Sequence, residues 1–183
     1  MKKIILDLAV TLDGFIEGPN GEIDWCIMES SGSDFEDFLA GIDTIFYGRV
    51  SYELWGNWQP DEKSGTFLQH IYKQVHSKAK YVFTTNRDFR DDKATVIHSA
   101  ITDHVNNIRN KGGKNIWLYG GGALITTFMN LGLLDVIRMA VHPVILGAGK
   151  PLFHGINQRV NLKLITSTTS GSGVNQLTYE VVR

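Results

Sequence analysis

The stretch LYGGGAL (Leu118–Leu124) joins an apolar run to a segment that has the composition of a helix. Glycine loses more backbone freedom on ordering than any other residue, so three in a row need a reason. A strand that ends in glycine ahead of a helix leaves backbone N–H groups at the positive end of the helix dipole. The triplet therefore predicts either a phosphate-binding turn or close packing of a helix on a strand.

Length and composition restrict the class of protein. The 183 residues, of which 43% are hydrophobic, suit one globular domain over residues 1–183. A net charge of −1 leaves no basic surplus for nucleic acid, and no apolar run is long enough for a membrane span. The single cysteine, Cys26, cannot form an internal disulfide or a multi-cysteine zinc site. We expect a cytoplasmic protein with no metal.

Short β-branched segments alternate with helix-like segments along most of the chain. Nearly continuous apolar strands are typical of a parallel sheet that is covered on both faces. Near the end, two β-rich segments flank Ser170–Gly173 and predict an antiparallel hairpin. The predicted strands are Lys3–Val10, Thr44–Tyr47, Lys80–Thr84, Thr95–His98, Asn115–Tyr119, Val136–His142, Val160–Thr168 and Val174–Val182. The predicted helices are Ser33–Leu39, Ser51–Trp58, Thr66–Ser77, Thr102–Lys111 and Ala123–Leu131. The fold class is α/β with a mixed sheet.

Two further strand ends carry groups that suit a phosphate. One predicted strand ends at Gly48, Arg49 follows, and Ser51 opens a predicted helix. The segment Thr84–Arg87 ends another strand with two hydroxyls, an amide and a guanidinium, which would suit the 2′-phosphate of NADP. Taken singly, each feature is better explained structurally, the first as a surface arginine after a glycine and the second as a polar turn. Together with the glycine triplet they favour a dinucleotide.

Several segments, in this order along the chain, resemble dihydrofolate-reductase-like proteins. They are LAVTLDGFIEGPNGEIDW (8–25), FYGRVSYE (46–53), VFTTNR (82–87), LYGGGALITTFMNLGLLDVIRMAVHPVILGAGKPLF (118–153) and the closing hairpin. The chain is most similar to the branch that includes the reductase domain of bacterial riboflavin biosynthesis, from about Lys2 to Val182. The resemblance implies a three-layer α/β/α fold. Its sheet is eight-stranded, mixed and mostly parallel, with a C-terminal antiparallel hairpin.

The resemblance also implies an activity and a cofactor. The expected protein is an NADPH-dependent reductase of a small nitrogen heterocycle: a 5-amino-6-(5-phosphoribosylamino)uracil-like pyrimidine, a pteridine or dihydrofolate. The cofactor phosphates would lie at the glycine triplet, where the family often has a cis Gly–Gly peptide. The implied cofactor-binding residues are Ala9, Val10, Gly48, Arg49, Val50, Ser51, Thr84, Thr85, Asn86, Gly120, Gly121, Gly122, Ala123 and Leu124.

The candidate catalytic and substrate-binding residues lie near the first helix and the first loop. Asp34 and Phe38 have the Asp-x-x-x-Phe spacing of folate enzymes, in which an acid on the first helix holds the pterin ring. Asp34 would anchor the heterocycle, Phe38 would stack on it, and Trp25 would line the pocket. The alternative is that Asp34 is an acid favoured by the helix dipole. Asp13 either contacts substrate as a second catalytic candidate or only shapes an Asp-Gly turn.

The chain departs from the riboflavin branch in two places. It lacks the His-x-Glu and Pro-Cys-x-x-Cys motifs of the zinc deaminase domain. It also has Tyr52–Trp58 where that branch has Asp-x-Pro-x-Leu at its substrate pocket, so the riboflavin precursor is not assured as substrate.

Two other classes of function remain open. One is a non-catalytic nucleotide- or antifolate-binding protein that retains the NADPH site. The other is a structural homo-oligomer in which the glycines only permit packing. The apolar closing hairpin, Val160–Val182, leaves an edge that needs protection, so we expect a homodimer.

Overall fold

The computed structural model describes residues 1–27, 33–61 and 63–183. The strands are β1 (Ile4–Thr11), β2 (Phe15–Glu17), β3 (Ile42–Gly48), β4 (Ala79–Phe83), β5 (Thr95–Ile97), β6 (Asn115–Gly120), β7 (Val136–His142), β8 (Lys150–Pro151), β9 (Asn161–Thr169) and β10 (Asn175–Val182). The helices are α1 (Ser33–Ala40), α2 (Arg49–Ser51), α3 (Gly65–His76), α4 (Ile101–Asn110) and α5 (Gly122–Asn130), and a π-helical turn (Tyr52–Gly56) continues α2.

The first of two structural units comprises residues 1–2, 33–61 and 63–121 of the described chain. Its strands lie in the order β5-β4-β3-β6 and are parallel to one another. The register pairs Gly48 with Phe83 and Tyr47 with Gly120, so β3, β4 and β6 end at the same edge of the sheet. The fully buried core of this unit includes Ile45, Phe46, Val82, Ile116 and Leu118.

The second unit comprises residues 3–27 and 122–183 of the described chain. Its main strands lie in the order β1-β7-β10-β9, with β1 and β7 parallel and β10 antiparallel to both neighbours. Thr11 pairs with His142 at the carboxyl ends of β1 and β7. Strands β2 and β8 form a small antiparallel pair of their own. Ile4, Leu6, Phe128 and Ile137 are fully buried.

The eight main strands confirm the predicted α/β class, with a mixed, mostly parallel sheet and a C-terminal antiparallel hairpin. The predicted start of α4 at Thr102 is wrong. Ala100 adopts a left-handed conformation (φ 50°) at the N-cap, so the helix already begins at Ile101. The helix predicted from Ser51 begins at Arg49, because Gly48 is the last extended residue. A single domain over residues 1–183 stays a prediction.

The structure also bears on membranes and metals. No helix in the described ranges is long and apolar enough to cross a membrane. Within the same ranges, no group of three or more His, Cys, Asp or Glu residues is placed to hold a metal ion.

Candidate functional site

The turn from β3 into α2 leaves the first N–H groups of the helix without a side-chain cap. Gly48 is the N-cap, in extended conformation (φ −72°, ψ 150°), and glycine has no side chain that could accept from these donors. The N–H groups of Arg49, Val50 and Ser51 therefore stand at the positive end of the helix, at the edge where β3 ends. Such donors suit the oxygens of a phosphate.

The Arg49 guanidinium lies at the same turn and is paired with the Glu53 carboxylate one helical turn later. The two side chains are 35% and 43% exposed. An exposed ion pair of this kind contributes little stability, at most about 1 kcal/mol. A phosphate dianion can therefore compete with Glu53 for the guanidinium.

The strand β4 ends in an ordered polar turn. The Thr84 N–H donates to the Ile97 carbonyl at 3.0 Å, and Thr84 Oγ1 accepts from the Asn86 N–H at 3.1 Å. Asn86 Oδ1 accepts in turn from the Asp88 N–H at 3.0 Å. Thr85 and Asn86 are exposed. Their side chains present a hydroxyl and an amide to solvent beside the Gly48 turn.

The glycine triplet begins at the end of β6. Gly120 is buried and has φ 111°, a backbone conformation that disfavours any residue with a Cβ. The Gly120–Gly121 peptide is cis, as the family resemblance implied. Because Gly120 pairs with Tyr47 and Gly48 with Phe83, the first unit gathers Gly48, Thr84 and Gly120 at one edge. We call it the carboxyl edge.

The start of α5, in the second unit, has a lysine beside it. A Cβ added to Gly122 would lie 3.5 Å from Lys150 Cε, which is ordinary contact. Lys150 Nζ donates to Glu17 Oε1 at 2.8 Å. Lys150 is not among the residues that the sequence predicted for the site, although Gly149-Lys150-Pro151 lies in the segment 118–153 that resembles the family. Leu124 is 8% exposed, so its backbone rather than its side chain is available to a ligand.

The carboxylate of Asp13 is engaged within its own unit. It accepts from Thr11 Oγ1 at 2.6 Å, from the Gly147 N–H at 2.8 Å and from the Leu146 N–H at 3.1 Å. The hydrogen bond from Thr11 is the largest cause that lowers the pKa of Asp13, and the two backbone donors add to it. Asp13 is therefore an ionised acceptor at neutral pH, which favours its role in shaping the turn over proton donation.

Trp25 packs against a buried histidine. Its indole Nε1 donates to the Glu22 carbonyl at 3.2 Å, and its ring meets the His142 ring edge-on at 5.3 Å. His142 is 2% exposed, and its Nδ1 accepts from the Ile27 N–H at 3.3 Å. His142 thus holds the segment that carries Trp25.

Cys26 lies next to the same histidine, with Sγ 3.9 Å from His142 Nε2. Burial raises the pKa of the Cys26 thiol. Since His142 Nδ1 accepts a backbone N–H, the neutral ring carries its proton on Nε2 and cannot take one from sulfur. The pair is therefore not arranged as an activated nucleophile.

Asp34 and Phe38 both lie on α1 but in different environments. Asp34 is exposed, in the first turn of the helix. Phe38 is 7% exposed and packs on Phe35 and Trp117, with ring centroids 6.0 and 5.5 Å away. The Phe38 ring thus belongs to the core of the first unit. Contact of Asp34 or Phe38 with a substrate stays a prediction.

Comparison with known proteins identifies a family and a relative that both match almost the whole chain. The family model described as the RibD C-terminal domain matches residues 2–175. YyaP of Bacillus subtilis (strain 168) is 53% identical over 178 residues, which cover 97% of this chain and 94% of YyaP.

Two solved structures share the fold at low sequence identity. A protein of Shewanella sp. PV-4 assigned to riboflavin biosynthesis matches with TM-score 0.80 and 22% identity, over all of both chains. Dihydrofolate reductase of Enterococcus faecalis, complexed with NADP(H) and RAB-propyl, matches with TM-score 0.66 and 18% identity, over 99% of this chain and 97% of its own.

Proposed function

The chain belongs to the RibD C-terminal domain family, and we propose that it is a reductase that uses NADPH to reduce a small nitrogen heterocycle. The substrate class is a 5-amino-6-(5-phosphoribosylamino)uracil-like pyrimidine, a pteridine or dihydrofolate. The family includes NADPH-dependent reductases of this kind. The choice among these rings is open, because the chain lacks the Asp-x-Pro-x-Leu segment of the riboflavin branch.

The observation that carries the proposal is the composition of the carboxyl edge. Three neighbouring parallel strands end there, at Gly48, at Phe83 just before Thr84, and at Gly120, and α2 follows directly on β3. Ligands of open α/β sheets bind outside the carboxyl ends of the strands. The donors at this edge are the uncapped N–H groups of α2, an arginine and exposed hydroxyls, which are the groups that bind phosphate.

We assign roles to the residues of the first unit accordingly. Arg49, Val50 and Ser51 hold one phosphate through backbone N–H groups and the guanidinium, and Gly48 allows its close approach. Thr84, Thr85 and Asn86 hold the adenosine phosphate. Gly120 and Gly121 keep side chains away from the pyrophosphate.

In the second unit, the start of α5 offers phosphate donors of its own. Gly122, Ala123 and Leu124 present the first N–H groups of this helix, and Lys150 adds an ammonium beside Gly122. Ala9 and Val10, near the end of β1, contact the nicotinamide in this proposal.

The chemistry divides between cofactor and protein. NADPH, when bound, supplies a hydride from its nicotinamide ring. The protein must orient the heterocycle, exclude water and hold a polar group near the ring nitrogen that gains a proton. Because the Asp13 carboxylate already accepts three hydrogen bonds, we give the anchoring role to Asp34. In the first unit, we propose that Phe38 supports the ring from the core, and in the second unit that Trp25 offers it a flat surface.

A second function from another class has an observation in its favour. The carboxylate of Asp13 is occupied and ionised, and Phe38 is buried in the core. A protein that kept the cofactor site but lost turnover would have this arrangement. Such a protein binds NADPH without oxidising it in the presence of any of the three rings.

The test is calorimetric titration with NADPH and with NADH, on the natural protein and on Arg49→Ala. We expect NADPH to bind and Arg49→Ala to weaken it about tenfold or more, because a hydrogen bond to a charged group contributes about 1.5–3 kcal/mol. The matched control is Arg159→Ala, which removes an exposed arginine outside the assigned residues. If neither nucleotide binds, the glycines serve packing and the reductase proposal fails.

Turnover is tested separately, by following NADPH absorbance with the aminopyrimidine, dihydrofolate and a pteridine. Oxidation that Asp34→Asn abolishes, with NADPH affinity retained, supports the reductase and the anchoring role. Binding without oxidation of any ring identifies the nucleotide-binding alternative.

A further inference from the structure

A pocket rich in lysine lies in the first unit, away from the carboxyl edge. It has a volume of about 270 Å³ and is lined by Asn57, Gln59, His76, Lys78, Lys80 and Lys93; we call it the lysine pocket. Lys78 and Lys80 flank the first residue of β4, and Lys93 comes two residues before β5. The pocket is thus at the amino ends of these strands. Thr84 follows the opposite end of β4, about 15 Å away at roughly 3.3 Å per residue.

The ammonium of Lys80 is the least accessible charge in the pocket. Lys80 is 8% exposed, and in the described part of the chain its Nζ has one hydrogen-bond partner, His76 Nδ1 at 3.0 Å. No carboxylate in that part forms an ion pair with it. The Asp91 carboxylate acts on Lys80 through its charge but does not form a hydrogen bond with it. A buried ammonium is costly unless its N–H donors find acceptors, and in the described part of the chain two of the three donors of Lys80 have none.

The neutral His76 ring presents the lone pair of Nδ1 to Lys80. Its Nε2 lies 2.9 Å from the Trp58 carbonyl, which can only accept, and 3.1 Å from the Gln59 amide nitrogen. The shorter contact, to Trp58, assigns the proton to Nε2. Nδ1 is then the acceptor for Lys80. Burial lowers the pKa of His76, and the charge of Lys80 lowers it further. The imidazole therefore orients Lys80 without adding a second charge to it.

The carboxylates near the pocket are held in hydrogen bonds and ion pairs of their own, and one of them, Asp91, accepts from Asn57 Nδ2 of the pocket wall at 3.4 Å. Asp91 accepts from the Tyr52 hydroxyl at 2.8 Å and from the Lys93 backbone N–H at 2.7 Å. Asp43 pairs with Lys2 at 2.6 Å. Neither lines the pocket. The pocket walls thus carry three lysines and neutral polar groups.

We propose that the lysine pocket is a second anion site, which binds free phosphate or a small phosphomonoester with Lys80 as its buried ligand. Lys78 and Lys93 complete the positive wall, and the Asn57 and Gln59 amides lie at the rim. A compact dianion would satisfy the open donors of Lys80 and offset three like charges at once. The site is independent of the cofactor proposal, since it lies at the other end of the strands.

The test is titration with inorganic phosphate and with ribose 5-phosphate at constant ionic strength, in chloride buffer. We expect Lys80→Gln to weaken binding about tenfold or more, and Lys93→Gln, at an exposed position, to weaken it roughly two- to fivefold. The control Lys73→Gln, on the exposed face of α3, should bind like the natural protein. Tighter binding of ribose 5-phosphate identifies a phosphomonoester, and equal binding identifies free phosphate.

Because phosphate could also occupy the carboxyl edge, Arg49→Ala is titrated in parallel. Binding that survives Arg49→Ala and is lost in Lys80→Gln supports the lysine pocket, whatever the result with NADPH. Binding that is lost in Arg49→Ala and survives Lys80→Gln overturns the proposal. Equal binding by Lys80→Gln, Lys93→Gln and the natural protein, or no phosphate binding at all, overturns it too. If Lys80→Gln does not fold, the test depends on whether Lys93→Gln weakens phosphate binding.

Discussion

The Asp13 carboxylate and the Gly147 N–H form a 2.8 Å hydrogen bond that joins the loop after β1 to the loop after β7. The two residues are 134 positions apart in the chain. Asp13 also accepts from Thr11, so its charge is used within the fold. The hydrogen bond gives Asp13 a structural role. A variant of Asp13 can therefore be tested for loss of stability and for loss of turnover separately.

We predict that Asp13→Asn lowers the melting temperature at pH 7. The pKa of Asp13 is lowered in the folded protein. Its contribution to the free energy of unfolding is therefore present above the pKa of the unfolded state, about 3.9, and is lost as pH falls through the pKa of the folded state. The melting temperature of the variant should therefore fall less at acid pH than that of the natural protein. An unchanged melting temperature with abolished turnover would instead make Asp13 catalytic.

The ion pair between Arg49 and Glu53 predicts a gain of function in cofactor binding. In Glu53→Gln the guanidinium no longer has a competing carboxylate. NADPH affinity should rise about two- to fivefold, the range set by an exposed ion pair. The exposed neighbour Leu54 gives a matched control as Leu54→Ala. Weaker binding in Glu53→Gln would show that Glu53 positions Arg49 instead of competing for it.

The glycine triplet allows packing and phosphate binding to be tested apart. Gly122 has no positive φ, and an added Cβ would make only ordinary contacts. Gly122→Ala should keep or slightly raise the melting temperature, because alanine favours a helix by up to about 1 kcal/mol, while NADPH affinity falls. If the packing interpretation holds, affinity for NADPH is absent before and after the change.

Gly120→Ala is the contrasting variant. At φ 111° a Cβ is strained, at a cost on the order of 1–3 kcal/mol. For a chain of this length that lowers the melting temperature by at least about 2 °C. Equal melting temperatures for Gly120→Ala and Gly122→Ala would contradict the different roles assigned to them.

Lys80→Met should stabilise the protein in phosphate-free buffer. Burial lowers the pKa of Lys80, the charge of Lys93 lowers it further, and the charge of Asp91 opposes this shift without cancelling it. Between the folded and the unfolded value the unfolded chain holds more protons, so stability of the natural protein rises with pH. The advantage of Lys80→Met is therefore largest near neutral pH and shrinks as pH approaches 10.5. Melts from pH 7 to 10 check this, with Lys73→Met as control. A destabilised Lys80→Met at pH 7 would refute it.

The strand β9 supports the expected homodimer. All nine of its residues are exposed, with Leu162 and Leu164 39% and 52% exposed. These two side chains share one face of the strand, and an exposed apolar edge strand normally needs a cover. We expect sedimentation to show a dimer at micromolar concentration and Leu164→Lys to dissociate it, while Lys163→Gln on the other face does not. A monomeric natural protein would reject the prediction.

Much of the fold was accessible from the sequence because its signals are local. A run of β-branched residues, a glycine at the strand end and a helix after it are contained within about ten residues, as at Gly48 and at Gly120. The order of such segments then identified the family. The short strands β2 and β8 were missed, since three and two residues carry no periodicity.

The tertiary structure decided which side chains are available. The sequence places Asp34 and Phe38 at one spacing on a helix, yet packing on Trp117 buries the ring and leaves the acid exposed. Lys150 reaches Gly122 from a distant segment. Lys80, on β4, is buried and meets His76 at the end of α3. By itself, the sequence determined the α/β class, the family and the glycine turns at the strand ends that we propose bind phosphate. Burial, hydrogen-bond partners and charge environment depend on contacts between distant segments, so only the folded chain decided them.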